Sequence, residues 1–268
     1  MKKGAPAAMG GADRAPGCTP AGLEFAALLR LLPAIVLCVI GLMAGSASGQ
    51  TAAELLESCR NEAQAVAQRI DACTRVIGAT GDEGVRAEAY LQRGILYELD
   101  DKGEAAVADY SAAIELRPAN PLAYFNRGNA YTQLGQLDPA VADYTQAIKL
   151  DPKDPDFFNN RGRAHDGKGA HDLAIADYTE AIRLDGSSAR PLYNRGVSYA
   201  NKGDYRRAIA DFSLAIEVAP DDPDIYVARG AAFEVLGETG AARADFGRAL
   251  AIDRDHEDAR EGMNRLGG

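Results

Sequence analysis

A chain of 268 residues with 47% hydrophobic and 25% charged content has the balance of a folded globular protein, which excludes a disordered chain. The formal net charge is −10, and because Lys2, Lys3, Arg14 and Arg30 outnumber Asp13 and Glu24 in the first 49 residues, the remainder stands near −12. Binding through phosphate contacts needs a basic footprint, so nucleic acid is excluded as a partner.

Lys2 and Lys3 open a leader of small residues, and Arg30 precedes an apolar run from Leu31 to Ala44 broken only by Pro33 and Gly41. Gly45-Ser46-Ala47-Ser48-Gly49 follows. Positive charge, apolar run and small residues in that order make a secretory signal, with an Ala-x-Gly cleavage site before Gln50. The run is shorter than the ~20 residues of a spanning helix, so an uncleaved inner-membrane anchor over residues 31–44 is the second reading. The leader from Met1 to Glu24 is long for a signal, which makes Met9 an alternative start. Cys38 lies inside the apolar run, the wrong place for a lipid-modified N-terminal cysteine. Loss of the leader leaves Cys59 and Cys73. An exported chain meets oxidising conditions, so a disulfide worth ~3 kcal/mol is expected; two buried thiols are the alternative. The spacing is not Cys-x-x-Cys, which argues against a redox role.

From here the chain repeats itself. Glycine recurs at Gly94, Gly128, Gly162, Gly196 and Gly230, each 34 residues after the last. Four residues before each stands Tyr90, Tyr124, Phe158, Leu192 or Tyr226, and three after it Tyr97, Tyr131, His165, Tyr199 or Phe233. Those spacings put the large residues on one helical face, with the glycine admitting a close neighbour. A second amphipathic helix follows in every copy: Ala106, Ala140, Ala174, Ala208, Ala242; then Tyr110, Tyr144, Tyr178, Phe212, Phe246; then Ala113, Ala147, Ala181, Ala215, Ala249. Gly135, Gly169, Gly203 and Gly237 separate the two helices, with Gly103 doing so two places later in the first copy. Asn120-Pro121, Asp154-Pro155 and Asp222-Pro223 are N-cap and N1 pairs that restart the chain. The aspartates around them are caps and turns, because the glycine and glutamate spacing of a calcium loop is absent.

This pattern resembles the tetratricopeptide repeat, a 34-residue helix-turn-helix with an aromatic, Gly, Tyr, Ala, aromatic, Ala, Pro series. The closing prolines match at Pro118, Pro152 and Pro220 and depart at Gly186 and Arg254. The leucine usual before the glycine is Arg93, Arg127, Arg161, Arg195 or Arg229 here. The resemblance implies an all-α, right-handed α-solenoid. It divides the chain into a leader (1–49), a degenerate N-terminal cap (50–85), five units (86–119, 120–153, 154–187, 188–221, 222–255) and a C-terminal capping helix (256–268). In the cap, Cys73-Thr74-Arg75-Val76-Ile77 aligns with Tyr144-Thr145-Gln146-Ala147-Ile148, and Gly78 to Gly84 holds three residues beyond the 34-residue period.

Each unit also repeats an aspartate, at Asp109, Asp143, Asp177, Asp211 and Asp245. Folding each hairpin about its turn brings it to the arginine before the glycine, so a ladder of ion pairs is expected. His165 occupies a packing position, and His171 is six residues away, so no metal site is expected. No nucleophile motif, glycine-rich phosphate loop or Cys/His ligand set is present, so neither catalysis nor a cofactor or small-molecule substrate is expected. What remains is the groove along the first helices, which the resemblance implies is the ligand surface. Residues that differ between units are its candidates: Phe125, Asn126, Asn129, Asn160, Arg163, Arg190, Tyr193 and Asn194. Some members of the family clamp a peptide's terminal carboxylate with two lysines, two asparagines and an arginine. Asn129, Asn160 and Arg190 match that register, while Phe125 and Asn194 depart from it. The expected function is a periplasmic scaffold binding a peptide or partner protein. The alternative is a regulatory or assembly subunit of an envelope complex, in contact with a membrane only through an uncleaved N-terminus.

Overall fold

In the computed structural model residues 50–267 are described, and the expected signal with its Leu31 to Ala44 run lies outside them. The described residues form thirteen helices and no strand: α1 (Ala52–Arg60), α2 (Val66–Ala79), α3 (Glu83–Leu99), α4 (Gly103–Leu116), α5 (Pro121–Gln133), α6 (Leu137–Leu150), α7 (Pro155–Gly167), α8 (His171–Leu184), α9 (Ala189–Asn201), α10 (Tyr205–Val218), α11 (Pro223–Val235), α12 (Thr239–Ile252) and α13 (Glu257–Arg265). Each packs on its neighbours in the chain, giving an all-α helical repeat solenoid. No described helix is long and apolar enough to cross a membrane.

Local chemistry sets the helix ends. Asn120, Asp154 and Asp222 each accept the N–H two residues on, at 3.1, 2.9 and 3.1 Å, and proline at the first helical position has no N–H to satisfy. Inside the hairpins Gly135, Gly169, Gly203 and Gly237 take φ of 73°, 72°, 80° and 76°, a left-handed cap cheap only for glycine. The next residue returns its N–H to the helix, as from Gln136 to the Tyr131 carbonyl at 2.8 Å. The first copy departs from the sequence expectation. Asp101, at φ 53°, holds the left-handed position, and Gly103 is already in α4. The three extra residues of the first spacing are also resolved differently. α3 starts at Glu83 under an Asp82 cap and runs 17 residues, against 13 for α5.

The core is a file of rings under glycines. Tyr110, Tyr144, Tyr178, Phe212 and Phe246 are buried. A Cβ added to Gly94, Gly128, Gly162 or Gly196 would stand 2.6–2.7 Å from the ring of its own unit, so the first helix reaches the second only because the side chain is missing.

Along the same packing runs the ladder. Arg93, Arg127, Arg161, Arg195 and Arg229 each donate Nε and Nη2 to both carboxylate oxygens of Asp109, Asp143, Asp177, Asp211 and Asp245, at 2.6–2.9 Å. Nη1 continues to a hydroxyl of the preceding helix pair, Thr74, Ser111, Thr145, Thr179 or Ser213, at 2.9–3.2 Å. The hydroxyl link was not expected, and it joins each unit to the one before. The aspartate side chains are only 6–8% exposed. Hydrogen bonding to them raises the pKa of Arg93, Arg127, Arg195 and Arg229. Aromatics flank the guanidinium, as Tyr124 and Tyr131 do Arg127 at 5.8 and 5.9 Å.

The two ends are finished by different means. Cys59 and Cys73 form a disulfide, with Cα atoms 4.9 Å apart, that pins the nine-residue α1 to α2 over Leu96. At the other end Gly262 of α13 lies against the Phe246 ring, and Arg265 donates to both oxygens of Glu234 at 3.1 and 3.0 Å.

Candidate functional site

A groove with a cavity volume of about 470 Å³ opens on α3, α5 and α7, with Tyr144 of α6 as its floor. Its wall includes Ile95, Glu98, Leu99, Asn129, Asn160 and Arg163. The first helices supply nearly all of it because their other face is taken by the hairpin.

Asparagines tie this surface together. Asn129 Oδ1 accepts from Asn160 Nδ2 at 2.9 Å and from the Tyr144 hydroxyl at 2.8 Å. Asn160 Oδ1 accepts from Asn159 Nδ2 at 3.1 Å, and Asn159 Oδ1 accepts from Asn194 Nδ2 at 3.0 Å. Asn159 is 2% exposed, so these bonds keep a buried amide satisfied. The chain of amides thus runs across α5, α7 and α9. Asn126 sits at the register of Asn160 and Asn194, but its side chain makes no hydrogen bond among the described residues. The partners 31 and 35 residues back would be Ile95 and Leu91, which have nothing to offer it.

The expected site residues therefore divide. Asn129, Asn160 and Arg163 share the groove. Asn194 joins it through the amide chain. Phe125 packs inward, 5.9 Å from the Tyr144 ring and 4.9 Å from that of Phe157. Arg190 and Tyr193 line a separate cavity of about 220 Å³ with Asp222, Asp224 and Ile225. Arg190 Nη1 lies 3.9 Å from Asp156, both exposed. Burial, and after it Asp224 and Asp222, raises the Tyr193 pKa. Asn129 and Asn160 thus line one cavity and Arg190 another.

Sequence reasoning missed the position four residues after each glycine. Glu98, Thr132 and Asp166 stand there, and each meets the hydroxyl of the ring below: Tyr110 to Glu98, Tyr144 with Thr132 at 3.0 Å, Tyr178 to Asp166 at 3.0 Å. Asp166 also accepts from Ser198 at 2.6 Å and lies 2.8 Å from His171 Nδ1. In the last two units the ring is Phe212 or Phe246, and the facing residue is Ala200 or Glu234, the latter engaged by Arg265. The signal was present as a correlation: tyrosine stands in the units with Glu98, Thr132 or Asp166 at that position, and phenylalanine in those with Ala200 or the arginine-bound Glu234. Burial raises Glu98's pKa, opposed by the Tyr110 hydrogen bond. Among the described residues no group of three or more His, Cys, Asp or Glu side chains is placed to hold a metal ion.

Family models described as "TPR repeat" match residues 102–135 and 128–169, and models described as "Tetratricopeptide repeat" match 155–188 and 189–222. The chain is a tetratricopeptide repeat protein. Among solved structures, this repeat protein is similar to YrrB, described as a TPR protein with an unusual peptide-binding site, at 22% identity over 73% of this chain and 99% of that one, TM-score 0.60. It is similar to MamA from Desulfovibrio magneticus at 18% identity over 67% and 99%, TM-score 0.61. A tetratricopeptide repeat protein from Parabacteroides merdae is 17% identical over 82% and 100%, TM-score 0.64. At these identities the likeness is one of fold. No curated protein matches the chain.

Proposed function

We propose that this repeat protein is a non-enzymatic scaffold that holds an extended peptide, or a peptide segment of a partner protein, in the groove over α3, α5 and α7. The observation that carries this reading is the groove itself. It is about 470 Å³ and is lined by side chains the repeat does not require. Asn129 Nδ2 and the Arg163 guanidinium make no hydrogen bond among the described residues, so both are available to the carbonyls and acids of a ligand. YrrB's described peptide-binding site is a precedent on the same fold.

The scaffold works outside the cytoplasm, in the periplasm. The Cys59–Cys73 bridge needs oxidising conditions, and the leader has the order of an export signal. N-terminal sequencing of the mature chain tests the export route. A start near Gln50 supports a released scaffold, whereas retention of residues 31–44 makes it a membrane-held subunit. For the groove, the test is affinity capture of the exported form, repeated with Asn160→Ala and Arg163→Ala. Loss of the captured partner is expected, and unchanged recovery removes the groove from the function.

A further inference from the structure

Two charges of opposite sign line the groove and do not pair with each other. Glu98, in the last turn of α3, accepts the Tyr110 hydroxyl and has no cationic partner among the described residues. Arg163, on α7, has neither a hydrogen bond nor an ion pair among them, whereas all five ladder arginines are bidentate. Both act on one hydroxyl. Burial pushes Tyr144 up to about 12, Arg163 opposes that rise and Glu98 adds to it. The rest of the lining is neutral, including the amides of Asn129 and Asn160 and the apolar Ile95 and Leu99, the latter 68% exposed.

A ligand fitting this wall must satisfy an acceptor at one end and a guanidinium at the other. A purely acidic peptide meets Glu98 and a protein of net charge −10. A purely basic one leaves Arg163 unanswered, and a lone terminal carboxylate leaves Glu98 so. We infer that the groove recognises an extended peptide segment with one basic and one acidic side chain a few residues apart, the basic one on Glu98 and the acidic one on Arg163, with an aliphatic side chain between them on Leu99 and Ile95. This rests on the groove reading above and adds the chemistry of the occupant. α3 and α7 are two packing steps apart, at about 8–10 Å each. An extended chain advances about 3.3 Å per residue, so charges roughly five to six residues apart reach both groups.

The test uses synthetic peptides of about ten residues, long enough at about 3.3 Å per residue to cross three helices. They carry Lys and Glu on either side of Leu at each of those spacings, with Gln replacing Lys, Glu or both. Binding is read by fluorescence anisotropy on the wild type, Glu98→Gln and Arg163→Gln. Glu98→Gln keeps an acceptor for Tyr110, so the fold is retained. At the best spacing, replacing the peptide's Glu weakens wild-type binding about fivefold and leaves Arg163→Gln binding unchanged. Replacing its Lys does the same against Glu98→Gln, about fivefold being the size of a partly exposed ion pair. Losses that persist undiminished in the matching variant overturn the inference. If the uncharged peptide binds as tightly as the doubly charged one and Asn160→Ala abolishes it, the groove stands and the charge reading falls. If none binds, both fall.

Discussion

Asn160 and Arg161 are neighbours in the chain and belong to different regions of the molecule. Arg161 turns into the hairpin, where Asp177 and Thr145 hold it, and an equivalent arginine does so in every unit. Asn160 turns to the groove, where its partners are Asn129 and Asn159, and the residues at its register in the first and last units are Gln92 and Ala228. One step along a helix rotates a side chain by about 100°, which separates a surface repeated for stability from one free to vary. The comparison teaches where to look for function in an array. The repeated ion pairs are mechanical, and the variable face one residue along the helix is where the proposed recognition would lie.

The largest effect that can break this division comes from the ladder. Arg161→Ala leaves the nearly buried Asp177 carboxylate without its partner and is expected to cost about 3–5 kcal/mol in denaturant unfolding. An unchanged midpoint removes the mechanical role. Replacing Cys59 and Cys73 together by alanine is expected to cost about 3 kcal/mol. Hydrogen exchange should place the loss in α1 and α2, leaving the groove intact. Gly162→Ala drives a Cβ to 2.7 Å from the Tyr178 ring and should cost about 1–3 kcal/mol, more than the same change at Gly240, where nothing lies within 4 Å. Asn160→Ala leaves the buried Asn159 amide without its acceptor and should cost about 1–3 kcal/mol in stability, less than Arg161→Ala, while abolishing ligand capture. A large stability loss there would merge the two regions.

The smallest effect is in pH. His165 replaces the aromatic of its register, and burial lowers its pKa from 6.5, with Asp177 opposing. A depressed histidine contributes stability above its unfolded pKa that is lost as pH falls through the folded value. His165→Tyr should therefore lose less Tm than the wild type between about pH 7 and about pH 5. Parallel curves would show that burial there does not disfavour the charged ring.

Much of the architecture was legible because period, ring, glycine and cap are local signals repeated five times. The Arg161–Asp177 pairing was also legible, since a hairpin of known length brings the two together. The hydroxyl of Thr145 that completes it was not, because that contact crosses between units. The groove was legible only as a list of variable positions. Phe125 was a candidate by variation alone, and only the structure packs it against Phe157 and Tyr144; Glu98 was not singled out, and only the structure brings Tyr110 to it.

By itself, then, the sequence determined the repeat, the all-α class and the candidate cysteine pair, because backbone chemistry and a 34-residue period act within one hairpin. Only the tertiary structure decided that Asn129, Asn160, Glu98 and Arg163 share one groove while Arg190 and Tyr193 line another cavity. The physical reason is that those relations depend on how successive hairpins stack, and stacking is set by the summed packing of rings, glycines and ladder rather than by any residue's own neighbours in the chain.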